Sequence, residues 1–89
     1  MENLIKKFNS INFNNDDSII EFICSIKKSD IFSGTNECGE TFVLSVNNKG
    51  FRVSTYQSNG WIRINDYSIS YEYGKPELTR GELYEKGDE

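Results

Sequence analysis

The chain has 89 residues, of which 36% are hydrophobic and 13% aromatic, and it carries a net charge of −4 with no histidine. A chain of this length folds as one domain around one core, because it buries only about 60–65% of its unfolded surface, and its apolar content is too high for a disordered tail. The missing imidazole removes the commonest general base and the usual activator of a serine or cysteine nucleophile.

In chain order, residues 1–9 place Leu4, Ile5 and Phe8 on one helical stripe, with Lys6 and Lys7 away from it. The asparagines at 12, 14 and 15 then favour a turn. A second helix is predicted over 18–28. Ser18 and Glu21 have the spacing of a capping box, and Asp16 and Asp17 set negative charge beside the positive helix end. Ile19, Phe22, Ile23 and Ile26 form its buried stripe, and Lys27 and Lys28 suit its negative end. Cys24 falls inside this helix and is expected to pack as a small apolar residue. Cys38 lies in an expected exposed loop, GTNECGE, preceded by Ile31 and Phe32, which are candidates to open a short strand. The first residues show no apolar run typical of a signal peptide, so the expectation is a cytoplasmic protein with free thiols.

From Thr41 the apolar period changes from helical to two. A four-residue loop over 47–50 sets Val46 against Phe51, Leu44 against Val53 and Phe42 against Thr55, and all the apolar positions then share one face. A two-residue turn at Asn59-Gly60 would continue the pattern by opposing Thr55 to Ile64. The phase slips after Ile64, since Tyr67, Ile69, Tyr71 and Tyr73 are offset by one, and a bulge at Asn65-Asp66 would reset it. After a turn at YGKPE, residues 78–86 read either as a last strand against 67–73 or as a helical turn.

This reading gives an α+β domain: one or two N-terminal helices (1–29) packed on a three- to four-stranded antiparallel meander (41–73), with an acidic segment at 74–89. The sheet face turned from the helices would carry Arg52, Tyr56, Trp61, Arg63 and Asn65, with Tyr56 opposite Arg63. Tyrosine, tryptophan and arginine are the residues in which binding energy concentrates. They are therefore candidate partner-binding residues, together with Glu82 and Glu85 of the acidic end. Cross-strand aromatics also stabilise sheets without any function, and Tyr67, Tyr71 and Tyr73 are expected to rim the core.

Charge and spacing narrow the function classes. Residues 1–65 hold seven acids and seven bases, so the whole net charge lies in the last quarter of the chain. That balance is the reverse of a duplex nucleic-acid binder. No metal-ligand spacing, glycine-rich phosphate loop or nucleophile–base pair is present, so neither an enzyme nor a cofactor or metal site is expected. No apolar run reaches the ~20 residues of a bilayer span. Ten asparagines, ten isoleucines and seven lysines against three arginines point to an AT-rich coding source. In size, acidity and lack of catalytic groups the chain resembles small phage-encoded inhibitors of bacterial defence, the anti-CRISPR type among them. The resemblance implies a monomer or small homo-oligomer that docks on a bacterial protein or complex in the host cytoplasm. An immunity protein or antitoxin, and a small nucleotide-binding protein, are the alternatives.

Overall fold

The computed structural model describes residues 4–87 as two short helices, α1 (Leu4–Asn9) and α2 (Asp16–Cys24), followed by five strands. These are β1 (Asp30–Thr35), β2 (Thr41–Asn47), β3 (Gly50–Tyr56), β4 (Trp61–Glu72) and β5 (Lys75–Lys86), paired antiparallel in chain order. The α+β class holds, but the sheet has five strands rather than three or four, because β1 and β5 add an edge on each side. Both helices cover one face. Ile19, Ile23, Leu44 and Val46 are fully buried between them and the sheet, each stabilising by about 1.5–3 kcal/mol. Phe8 is the hub of an aromatic cluster, with ring centroids 5.6–6.0 Å from Phe13, Phe22, Phe42 and Phe51.

The predicted stripe is the buried one, but α2 starts and ends earlier than 18–28. Asn15 is the N-cap, accepting a hydrogen bond from the Asp17 amide at 2.9 Å. The Ser18 hydroxyl instead accepts from the Asn12 amide at 3.0 Å and so fastens the preceding turn, not a capping box. Lys27 and Lys28 lie beyond the helix, and Cys24 is exposed, on the side of α2 away from the stripe. The expectation that Cys24 packs inside is therefore corrected.

The β2–β3 register is the one the alternation requires: Val46 faces Phe51, Leu44 faces Val53 and Phe42 faces Thr55. Its turn is tighter than a four-residue loop, with only Asn48 and Lys49 between the paired Asn47 and Gly50. Gly50 is needed here for space. A Cβ built on it would stand 2.0 Å from the Tyr67 carbonyl oxygen.

The second hairpin differs from expectation by one residue. Gln57 donates to the Trp61 carbonyl and Gly60 to that of Gln57, with Gly60 at φ 89°. This is a three-residue loop closed by a left-handed glycine. In consequence Tyr56 pairs with Ile62, Thr55 with Arg63 and Val53 with Asn65, and the ladder runs through 65–66 without a bulge. The whole of β4 therefore follows the phase of Tyr67, whose ring stacks on Phe51 at 4.8 Å. Ile62 and Ile64 fall on the face away from the helices.

Residues 75–86 form a strand paired with all of β4, not with 67–73 alone. The connecting turn is Tyr73-Gly74, both at positive φ (55° and 79°), as a two-residue hairpin turn demands. Pro76 opposes Tyr71, where its nitrogen points off the open edge and no ladder bond is lost.

Candidate functional site

The one-residue change in register separates the residues that sequence reasoning grouped together. Cross-strand partners share a face. Arg52, Tyr56 and Glu85 therefore lie on the outer, helix-free face, whereas Trp61, Arg63, Asn65 and Glu82 lie on the helix side. Tyr56 and Arg63 are not opposed; Arg63 instead faces Tyr84 across the ladder, with Trp61 on the same side.

On the outer face Arg52 grips Asp66 bidentately, at 2.6 and 3.0 Å. That bond raises the Arg52 pKa above its ordinary value, with the Asp66 charge adding to the effect. Nearby, Ile64 is only 5% exposed although no helix covers it, lying between Ser54 and Leu83 with half-exposed Tyr56 as a diagonal neighbour. It belongs to a small apolar patch separate from the main core.

On the helix side Arg63 and Asn65 line a groove of about 610 Å³. Its other walls are Phe13 in the α1–α2 connection, Asn36 and Glu37 in the β1–β2 turn, and Tyr67. Asn65 donates to Glu82 at 3.3 Å. Tyr67 is half-buried, and burial raises its pKa above the ordinary value, with Arg80 and Arg63 opposing the rise. Trp61, 42% exposed at the hairpin end, lies beyond the groove.

The feature that sequence reasoning missed is the tip of the β4–β5 hairpin. β3 accompanies β4 only as far as Ser68, and Ile69, whose amide donates to the Lys49 carbonyl at 2.9 Å, still packs with Leu78 against the core, so residues 70–77 continue as a two-stranded finger, about 10 Å of strand on each side. Tyr71 is 63% exposed and Tyr73 wholly exposed, so neither rims the core; among the later tyrosines of β4 and its turn, only Tyr67 does. The signal was present in Gly74, which suits the second, positive-φ position of a two-residue turn. The base of the finger is braced from the helix side. Arg80 forms an ion pair with Asp16 and donates to the Phe13 carbonyl at 3.2 Å, and the nearby Cys24 thiol raises the Tyr71 phenol pKa above its ordinary value.

Among the described residues no three histidine, cysteine, aspartate or glutamate side chains come together as a metal site, and no helix is long and apolar enough to cross a membrane. Comparison with protein-family models, with curated proteins and with solved structures finds no match.

Proposed function

We propose that this chain is a small non-enzymatic binding protein that inserts its β4–β5 finger into a basic cleft of a bacterial protein and so blocks it. Tyr73 carries the reading. An L-residue other than glycine, asparagine or aspartate is rarely held at positive φ, and the conformation costs about 1–2 kcal/mol. Here it is spent on a fully exposed tyrosine at the tip of a projecting hairpin. Packing gains nothing from that ring, whereas an exposed aromatic is a ready anchor for a partner's pocket. Glu72 and Glu77 flank the tip against Lys75, which favours a cleft of positive charge. The compositional likeness to phage inhibitors supports a defence protein or complex as the target. The concentration of acids in the last quarter of the chain favours a second reading, an immunity protein or antitoxin neutralising a basic toxin.

Tyr73→Asn tests the reading, because its two effects run in opposite directions. Asparagine tolerates positive φ, so the melting temperature should hold or rise. A partner captured by the wild-type protein from a low-GC bacterial lysate, once purified, should bind the variant at least ~30-fold more weakly, as for an anchor worth about 2 kcal/mol. Unchanged affinity would remove the finger from the interface. The identity of the captured protein, a defence component or a toxin, decides between the two readings.

A further inference from the structure

The groove between the α1–α2 connection and the sheet has the makings of a second site, independent of the finger. Of the three arginines, Arg52 is held by Asp66 and Arg80 by Asp16. Among the described residues Arg63 makes no ion pair or side-chain hydrogen bond, although it is half-buried in the groove wall. A guanidinium partly withdrawn from water without a partner pays desolvation with no return, and a ligand oxygen would supply the missing acceptor. The surroundings select the ligand's charge and polarity. Phe8, Phe13, Phe42 and Val53 offer an apolar floor, with the Phe13 ring edge-on to Phe8 at 73° and Phe42 tilted from it by 43°, and the Thr55 hydroxyl beside Arg63 has no side-chain hydrogen bond of its own. Glu37 stands at the rim and Glu82 beside Asn65, with no lysine lining the groove. One cation among these acids suits a single negative charge and repels a phosphate dianion or a triphosphate. The volume of about 610 Å³ is that of a small-molecule site.

We propose that this groove binds a small apolar monocarboxylate, with its carboxylate on Arg63 and Thr55 and its hydrocarbon part on the phenylalanine floor. Tyr67 supports the arrangement, since a phenol that stays protonated remains a donor at the groove wall.

The test is an amide NMR titration of the full chain with three probes that share one ring: 2-naphthoate, neutral 2-naphthamide and dianionic 2-naphthyl phosphate. The naphthoate should give saturable shifts at Thr55, Arg63, Asn65 and Tyr67, and the other two should bind more weakly, the amide by tenfold or more. Arg63→Gln should weaken naphthoate at least tenfold, since a hydrogen bond to a charged group exceeds the ~1.4 kcal/mol of one decade, and should leave naphthamide unchanged. Glu37→Gln should tighten naphthoate by lifting the negative potential at the rim. Four results would each overturn the proposal: no saturable shift in the groove at millimolar naphthoate, equal binding of the amide, tightest binding of the phosphate, or an Arg63→Gln variant that binds naphthoate as wild type does. None of them bears on the finger, which Tyr73→Asn tests separately.

Discussion

Gly50→Ala adds one methyl group where the start of β3 lies tight against the β4 backbone. The new Cβ would meet the Tyr67 carbonyl oxygen at 2.0 Å and the Ser68 Cα at 2.8 Å, whereas ordinary contact begins at 3.4 Å. Both obstacles are backbone, so relief requires β4 to retreat by more than an ångström. The retreat strains ladder bonds worth about 0.5–1.5 kcal/mol each and loosens the Phe51–Tyr67 stack beside them, worth about as much again. The reduced freedom of the unfolded chain offsets about 0.4–1 kcal/mol. A net loss of about 2–4 kcal/mol lowers the melting temperature of so small a domain by roughly 10–25 °C. Circular dichroism melts measure it, with Gly81→Ala as the control. There the nearest atom to an added Cβ is the Asp66 Cβ at 3.8 Å, so that variant should match or slightly exceed wild type. If both variants melt with wild type, the register that puts Gly50 against Ser68 is refuted.

Ile23→Asp should leave no cooperative melt at neutral pH, since Ile23 is fully buried and an unpaired carboxylate there costs several kcal/mol of a total near 5–15. The raised Tyr67 pKa has a definite sign: the folded state holds the phenolic proton more tightly than the unfolded chain. Its contribution is therefore complete below about pH 10 and is lost as pH rises through the folded value. Urea melts from neutral to alkaline pH should show that decline in the wild type and a shallower one in Tyr67→Phe. Both cysteines are exposed, so a thiol reagent should label two groups per native chain without denaturant; a single labelled group would restore the buried Cys24 expected from the sequence. With a net charge of −4 and no basic stripe, no gel shift of duplex DNA is expected at physiological salt.

The first hairpin could be read from the sequence because only one phase makes both strands one-sided. Phe42, Leu44 and Val46 must face Phe51 and Val53, and any slip buries arginine or serine. The second hairpin could not be read, because β4 has two apolar sets in opposite phases. Ile62 and Ile64 compete with Tyr67 and Ile69 for the core, and alternation alone gives them equal claim. Contacts distant in sequence decide it. Tyr67 meets Phe51 and Phe13, burying large rings, while Ile62 and Ile64 find a smaller shelter with Tyr56 and Leu83 on the far side. The candidate site inherited that error, which is why Arg63 and Asn65 moved from an open face into a groove. Residues 78–86 were ambiguous for a different cause. Of β5 only Leu78 is even half-buried, so almost no apolar pattern marks it as strand.

That exposure bears on how the acidic end should be understood. β5 is the open edge of the sheet over twelve residues, and an unguarded edge invites pairing with another chain. Glu77, Glu82 and Glu85, interspersed with Lys75, Arg80 and Lys86 and with Pro76 near the tip, are the kind of residues that prevent it. The acids along β5 thus have a sufficient structural reason to be there, and their charge alone does not identify a docking surface. Tyr73 has no such reason: the turn would be more stable without it, the edge is not guarded by it and no core residue touches it. The tip of the finger, and not the acids behind it, is therefore the proposed point of docking. Those acids can still steer a basic partner towards the tip, an effect that salt would weaken.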